Sequence, residues 1–414
     1  MKRLLFCAAL FLVMSVEICQ AMELDALVQQ ALGKNPGVQS KRNMYEAAKG
    51  KVIDAWLLED PEFGIDVEGQ PSLFDFDRRS DNEYMVQQKI PFPTKLFLRG
   101  FGAMKEADIA FQRFKQEERE VVWHMEQPYY ELFLARKNVE ILEDVKNLTE
   151  QLLKSSKARY ESGQAPQGDL LKAQIELAKI NVEIFNSKQK EHLAQAHFSH
   201  ILNQPLGTHY DISPKLEREK ADWNLDELEK RSLEKRPELR AFFLAADRAN
   251  IHKTMIQQNW LPDITLRYEG RQLNGDSAVK ENDTFIGVTV PVWSILKGIG
   301  GDWRAAELDA KAAEAAAARF KNEVFLKIHE AYSKWKSADN ALIAYETMIV
   351  PEARQMTEVA LASYEAGKSD FLTVIDAERT LKDSQMEYYR SLAESEMGLS
   401  DLRLAVGDDL SRKS

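Results

Sequence analysis

The chain has few cysteines, and the position of these cysteines excludes most of the roles that cysteine has in folded proteins. Among 414 residues the only ones are Cys7 and Cys19. Both lie in a basic, then apolar, opening that ends in small residues at Ala21, which is the pattern of a secretory signal peptide over residues 1–21. Cleavage there leaves a mature chain without disulfides, thiolate metal sites or cysteine nucleophiles. An uncleaved anchor and a lipidated Cys19 are the alternatives.

Other shortages exclude further classes. The net charge is −11, so there is no basic excess for nucleic acid, and we expect no nucleic-acid partner. No later segment has the 18 or so consecutive apolar residues of a membrane-spanning helix, although the strands of a membrane barrel give a weaker signal. Only 13 prolines and 19 glycines interrupt the chain, which indicates few and long elements.

Catalytic and metal-binding motifs are also lacking. The sequence has no Gly-x-Ser-x-Gly, no phosphate loop and no His-Glu-x-x-His, so we expect no enzyme and no cofactor. Four histidines lie fairly close together in sequence, and two of them, His197 and His200, are spaced to share a metal ion. No carboxylate or thiolate set completes such a site, and we interpret these histidines as structural.

What the chain has is one pattern written twice. Four signatures recur in the same order at offsets of 200 to 204 residues: 24–38 with 225–239, 60–69 with 261–270, 89–92 with 289–292, and RYESGQAPQGDLLKAQIE (159–176) with SYEAGKSDFLTVIDAERT (363–380). Such a recurrence indicates a tandem duplication of a unit of about 200 residues. We place the first structural repeat at 22–213 and the second at 214–414.

Each repeat is predicted to be mainly helical with a small β part. A helix comes first, then two strands, a very long helix, a break at glycine and a return helix. At 1.5 Å per residue the long helix would extend about 100 Å. The predicted helices span 24–58, 95–162 and 168–203, then 225–259, 302–366 and 371–406; the predicted strands span 62–70, 84–92, 263–270 and 284–292.

Apolar residues on the outgoing and return helices alternate at spacings of three and four, which is typical of a coiled-coil seam. This predicts antiparallel helical hairpins, with ordinary bundle helices as the alternative. The seam residues are Ile141, Val145, Leu148, Leu152 and Ser155 going out, and Leu171, Ile175, Ala178, Val182 and Phe185 coming back.

The predicted strands alternate apolar and polar residues, as lipid-facing barrel strands do. Aromatic residues lie toward their ends, as in the interfacial girdles of such barrels: Tyr84, Phe92, Tyr268 and Trp293. Four strands cannot close a barrel around a channel, and an open edge cannot lie in lipid. A membrane barrel would therefore need two or more chains. The alternative is a pair of soluble hairpins that cap a helical bundle.

Over the whole mature chain this arrangement resembles the TolC-like outer-membrane efflux proteins. The glycine-break stretches are the most specific residues, and QKIPFPTKLFLRG and LPDITLRYEG support them. The resemblance implies a homotrimer with a twelve-stranded barrel in outer-membrane lipid, continued by a helical barrel (α-barrel) in the periplasm. It also implies docking to a periplasmic adaptor and an inner-membrane pump. IPFPTKLFLRG resembles the heavy-metal efflux branch in particular.

The resemblance also implies site residues around the breaks, in three groups. A pore constriction would involve Asp376, Thr373 and Asp370, and at Asp376 threefold symmetry would make a ring of like charges. A latch between hairpins would involve Asp169, Tyr364, Ser369 and Lys368. Adaptor docking would involve Tyr160, Gly163, Gln164, Ala165 and Gly367.

Two positions depart from the family pattern, because Thr373 stands where the family has a second pore aspartate and Ser369 where it has the latch arginine. From the residues alone, Asp169 and Asp370 also suit the N-termini of helices. We expect a passive export duct whose substrate is set by its pump; a soluble periplasmic scaffold is the alternative.

Overall fold

A computed structural model describes residues 23–68, 81–163, 166–219, 223–273, 278–408 and 410. The predicted signal peptide, the last two residues of the first predicted strand, and the tip residues Gln164 and Ala165 lie outside the described residues.

The same order of elements occurs twice. Helices α1 and α2, strands β1 and β2, and helices α3 and α4 make the first copy; α5 and α6, β3 and β4, and α7 to α10 make the second. The bounds are α1 Leu24–Lys34, α2 Pro36–Trp56, β1 Glu62–Glu68, β2 Asp81–Ile90, α3 Pro93–Glu161, α4 Gln167–Ile201, α5 Leu225–Lys235, α6 Pro237–Gln257, β3 Asp263–Gln272, β4 Glu281–Thr289, α7 Val292–Lys297, α8 Trp303–Ala344, α9 Val350–Glu365 and α10 Phe371–Val406.

The first predicted helix of each copy is two helices. The break falls at Asn35 and at Arg236, each directly before a proline that begins the next helix. A residue before proline is pushed out of the helical region, and Asn35 is extended with ψ 124°. Its side chain accepts a hydrogen bond from the amide of Gly37 at 2.8 Å, which caps α2.

The long helices have the predicted length. Helix α3 runs for 69 residues through an internal proline, Pro128. Its counterpart is interrupted by a π-helical segment at Tyr345–Ile349, which separates α8 from α9. Between α7 and α8 the chain kinks at Gly298–Asp302, where Gly301 has a non-helical φ of +155°.

Among the described residues, the helices are all too short or too polar to cross a membrane.

The four strands form one antiparallel sheet in the order β1-β2-β3-β4. Strand β2 pairs with β3 from Asn82↔Gln272 to Ile90↔Ile264, so the sheet joins the two copies. Strands β2 and β4 begin three residues before their predicted starts, and they stop at Ile90 and Thr289, ahead of the prolines that cannot donate to the ladder. Trp293, predicted at a strand end, lies in α7.

By contacts the chain divides into two compact units. The tip unit takes its described residues from 1–31, 125–219 and 340–394, and the sheet unit from 32–124, 220–339 and 395–414. Each unit has its own core: Leu228, Leu239, Val324, Ile328 and Leu402 in the sheet unit, and Leu152, Ala173, Tyr364, Phe371 and Val374 in the tip unit. The units differ from the proposed repeats because each draws on both copies.

In the tip unit the predicted seam is right on one side only. On α3, Ile141 and Leu152 are buried, although Ser155 is exposed. On α4 the predicted seam faces outward, and the buried residues are Ala173, Glu176, Ile180, Ile184 and Ser187. Helix α4 carries two stripes at coiled-coil spacing, and the one that mixes isoleucines with small and polar residues packs within the chain. Spacing alone does not say which stripe meets which neighbour.

We predict that Gly407→Ala destabilises the protein. Gly407 ends α10 with φ +78°, and an added Cβ would lie 2.5 Å from the Cα of Arg236. The left-handed backbone and this clash should together cost about 1–3 kcal/mol of unfolding free energy, measured as a lower thermal midpoint. Gly33→Ala is the control, since no atom lies within 4 Å of the added Cβ. Equal midpoints for both variants would contradict the prediction.

Candidate functional site

The two glycine breaks use the same backbone device. Gly163 and Gly367 have φ of +72° and +67°, in the left-handed region that glycine adopts without strain. Each donates its amide hydrogen to the carbonyl of the tyrosine three residues earlier, Tyr160 at 2.9 Å and Tyr364 at 3.0 Å. Both glycines are exposed, and a Cβ added at either would have no atom within 4 Å. At both breaks the helix therefore ends at an exposed glycine with free space around its Cα.

Two of the three predicted constriction residues meet in a helix cap. The Asp370 carboxylate accepts hydrogen bonds from the Thr373 amide at 3.0 Å and from the Thr373 hydroxyl. The hydroxyl bond, more than the amide bond, holds the pKa of Asp370 below its usual value. Asp376 is exposed, with its carboxylate 3.8 Å from Arg379. Asp370 thus has the capping role that its sequence position also suggested.

The predicted latch residues are only partly brought together. Tyr364 is buried, and among the described residues no hydrogen bond joins its hydroxyl to Asp169. Asp169 lies in the first turn of α4. Ser369 donates from its hydroxyl to the Ala360 carbonyl at 3.5 Å, and Lys368 is exposed.

A residue without a predicted role, Arg159, covers Tyr364 instead. Its guanidinium carbon lies 4.7 Å from the centre of the Tyr364 ring, and its Nη1 donates to the Tyr364 carbonyl at 3.5 Å. Phe371 packs edge-on against the same ring, with the two centroids 6.0 Å apart. A cation over an aromatic face is attractive, so Arg159 ties α3 to α9 beside the break. One signal in the sequence could have drawn attention to Arg159: the matching position in the second copy is Ser363, so the two copies differ in charge at this place.

Helices α4 and α10 are joined by two ion pairs. Arg379 binds Glu176 through two nitrogens, with Nε 3.0 Å from Oε1, and Lys382 lies 3.1 Å from Glu183. Glu176 is nearly buried, and the hydrogen bond from Arg379 is the main cause that lowers its pKa. Two-point arginine–carboxylate contacts are the strong kind, so this pair fixes the two helices in register. No spacing rule in the sequence would have paired these residues.

Metal ligands are not gathered in this structure. Over the described ranges, no group of three or more His, Cys, Asp or Glu side chains is placed to hold a metal ion. His209 lies 3.3 Å from the Gln195 side chain.

The sheet has one apolar and one charged face. Directly paired residues share a face, and Phe63↔Val86 and Leu266↔Ile286 place apolar side chains together. Gln87↔Arg267 lies on the opposite face. The apolar face also carries Ile65, Tyr84, Ile264, Tyr268 and Val288, all exposed in the single chain.

The two supporting sequence motifs meet where the sheet continues into α3. Lys95 of QKIPFPTKLFLRG donates to the Leu261 carbonyl at 2.6 Å and to Asp263 of LPDITLRYEG at 2.9 Å. The Phe92 amide donates to the same carboxylate at 3.1 Å. Both motifs therefore fix how the strands of the second copy join the long helix of the first.

Comparison with known proteins gives matches in sequence and in fold. Residues 228–408 match the family model described as "Outer membrane efflux protein". The chain is 20% identical to the cobalt-zinc-cadmium resistance protein CzcC of Cupriavidus metallidurans, over 94% of this chain and 91% of that protein.

Solved structures agree over nearly the whole chain. The outer-membrane channel OprN superposes with a TM-score of 0.80 at 18% identity, covering 94% of this chain and 90% of OprN. The outer membrane protein VceC from Vibrio cholerae has a TM-score of 0.77 at 17% identity, covering 94% of this chain and 97% of VceC. At these identities the likeness shows a shared fold.

We predict that Arg379→Met destabilises the tip unit. It leaves the Glu176 carboxylate nearly buried without its main partner, at a cost of about 1–3 kcal/mol in unfolding free energy. Thermal unfolding of the purified protein measures it. The loss should shrink as the pH falls below 4.5, the usual pKa of a glutamate, because Glu176 then becomes protonated.

The matched control for this prediction is Arg319→Met. Arg319 pairs with Glu323 at 2.8 Å with both side chains well exposed, so its loss should cost no more than about 0.5 kcal/mol. Equal losses in the two variants would show that the Glu176 pair is no stronger than a surface pair.

Proposed function

The chain belongs to the TolC-like outer-membrane efflux proteins, and we propose that it is the outer-membrane duct of a tripartite efflux system. It lies in the outer membrane, with a helical barrel in the periplasm. Substrates would arrive from an inner-membrane pump through a periplasmic adaptor and leave passively. The observation that carries the proposal is the match of residues 228–408 to the family model in a chain whose fold follows outer-membrane channels throughout.

A homotrimer would supply partners for the two edge strands of the sheet. Strands β1 and β4 are the edges of the sheet, each with one neighbour among the described strands. Three sheets of four strands would pair these edges in a twelve-stranded barrel, since an open edge is not stable in lipid. The apolar face would then contact lipid and the charged face the lumen.

The exposed stripe of α4 supports the same assembly. It is formed by Leu171, Ile175, Val182 and Phe185, all at least half exposed. A stripe at coiled-coil spacing needs a partner helix. We propose that a second copy of the chain covers it, since the trimer that pairs the edges of the sheet would also bring helices of neighbouring copies side by side.

The closed duct is proposed to depend on the breaks. Arg159 over Tyr364, and Glu176 with Arg379, would hold the hairpins together beside the constriction, with Asp169, Ser369 and Lys368 as the other latch positions. Asp376 is the exposed acidic candidate for a charged ring that is not engaged in a helix cap, while Asp370 and Thr373 are hydrogen-bonded to each other. A ring of carboxylates favours the passage of cations.

The tips are proposed to dock the adaptor through Tyr160, Gly163 and Gly367, together with Gln164 and Ala165, which directly follow Gly163. Heavy-metal cations are the proposed substrate class, supported by the likeness to CzcC, whose name refers to cobalt, zinc and cadmium. An acidic constriction would suit such cations. The scaffold alternative has no observation in its favour.

We predict that the purified protein is a trimer in detergent and that Phe185→Glu breaks it. Phe185 is 62% exposed in the single chain, and a charge at a coiled-coil seam must be desolvated when the seam closes. Light scattering should show trimers for the unmodified protein and mainly monomers for the variant. Channel conductance in a planar bilayer should be lost with the trimer.

Lys190→Glu is the control for that variant. Lys190 is exposed on the same helix but outside the stripe, and its substitution changes the charge by more than Phe185→Glu does. It should remain trimeric and conducting. A monomer without detergent, or a trimeric Phe185→Glu variant, would contradict the proposed assembly.

We predict that Gly367→Pro abolishes efflux while trimers still assemble. Proline fixes φ near −65°, whereas Gly367 needs +67°, and proline loses the amide that binds the Tyr364 carbonyl. Tolerance of cells to cobalt, zinc or cadmium salts measures efflux. Gly367→Asn is the control, because asparagine accepts a left-handed backbone and keeps the amide. Unchanged tolerance in Gly367→Pro would remove this tip from docking.

A further inference from the structure

A carboxyl group is buried between helices of the tip unit. Glu378 of α10 is 4% exposed. Its Oε1 lies 3.1 Å from the hydroxyl oxygen of Thr149 on α3, and within the part of the chain that the structure describes its Oε2 has no hydrogen-bond partner. A buried, half-satisfied carboxylate is costly, so its charge state matters for the packing of these helices.

Counting hydrogens favours the neutral form. The Thr149 hydroxyl also lies 2.8 Å from the Val145 carbonyl, which can only accept. A hydroxyl has one hydrogen, so it cannot donate to the carbonyl and to a carboxylate at once. A protonated Glu378 supplies the second hydrogen and satisfies both contacts.

The charges around Glu378 do not offset its ionisation. Glu176 of α4 adds a second negative charge, while the nearby cations, Arg379 and Lys382, lie on α10 itself and bind Glu176 and Glu183. From α9 the nearby polar group is the Thr357 hydroxyl, which bonds the Ala353 and Ala377 carbonyls. Burial, ahead of the other causes, raises the pKa of Glu378 to about 7.

We propose that Glu378 is a proton-controlled contact between the two hairpins: protonated, it holds α10 against α3, and ionised, it favours their separation. Ionisation of Glu378 would be enough to favour this separation without a bound ligand, because the carboxyl group is buried between the helices. That separation would widen the duct, and this consequence, unlike the contact itself, rests on the proposed function.

The direction of the effect follows from the pKa. In the packed state the group has a pKa of about 7, and when the helices separate it returns toward the usual 4.5. The packed state therefore binds more protons between these values, and its stability is greatest below 4.5 and falls as the pH rises toward 7. A difference of 2.5 units corresponds to about a 300-fold change in the equilibrium between packed and separated helices.

Hydrogen exchange of the purified full chain tests the contact. We compare residues 145–152 and 374–382 at about pH 5 and about pH 8, after correction for the intrinsic effect of pH on exchange. Protection in the unmodified protein should fall at the higher pH by as much as about 70-fold, since part of the 300-fold change lies below pH 5. In Glu378→Gln, whose amide supplies the hydrogen at every pH, protection should stay high.

Glu394→Gln is the matched control, since Glu394 is exposed on the same helix, and it should behave like the unmodified protein. The same pH dependence in Glu378→Gln as in the unmodified protein would overturn the proposal, as would the absence of any pH dependence in the unmodified protein.

Conductance separates the two proposals. With a working channel, conductance should rise with pH in the unmodified protein and in Glu394→Gln, and stay flat in Glu378→Gln. If exchange follows the expected pattern but no variant conducts, the proposed function fails and the proton-controlled contact stands.

Discussion

The pairing of β2 with β3 is the interaction on which the rest of this chain depends. Each copy of the duplicated unit supplies a two-stranded hairpin, and such a hairpin is marginal by itself. The ladder from Asn82↔Gln272 to Ile90↔Ile264 joins the two hairpins into one sheet. Since Lys95 and Asp263 connect that sheet to the start of α3, the same pairing sets where the long helix of the first copy begins. A slip of one residue between β2 and β3 would place apolar side chains of one hairpin on the charged face of the other.

In the tip unit, ion pairs between helices add to an apolar core. The side of α4 that faces the chain carries isoleucines as well as small and polar residues, and Glu176 and Glu183 reach Arg379 and Lys382 across the interface. Ion pairs of this kind add little net stability because desolvation offsets their attraction. They do fix one register, however.

Periodicity and repeats were enough to predict the long helices, the glycine breaks and four strands within a few residues of their observed bounds. They failed where the helical pattern concealed a local rule, and where the deciding interaction joins residues far apart in sequence. Asn35 and Arg236 split the first helices because proline restricts its predecessor, a local rule that the helical pattern concealed. The stripe of α4 that faces inward, Arg159 over Tyr364, and Glu176 with Arg379 all depend on tertiary contacts that no spacing encodes. Asp370 and Thr373, predicted for the constriction, bond to each other in a helix cap, which is a local interaction.

The matching tyrosines beside the two glycine breaks differ in burial. Tyr160 is exposed beside its glycine, whereas Tyr364, at the matching place, is buried under Arg159. In a ring of six identical single-copy subunits, every substitution would appear six times, and one tyrosine could not serve both purposes. Duplication within one chain halves that redundancy. In the proposed trimer, duplication would let selection change three positions around the ring while the other three stay as they are, so that the proposed sealing and the proposed adaptor docking could evolve separately.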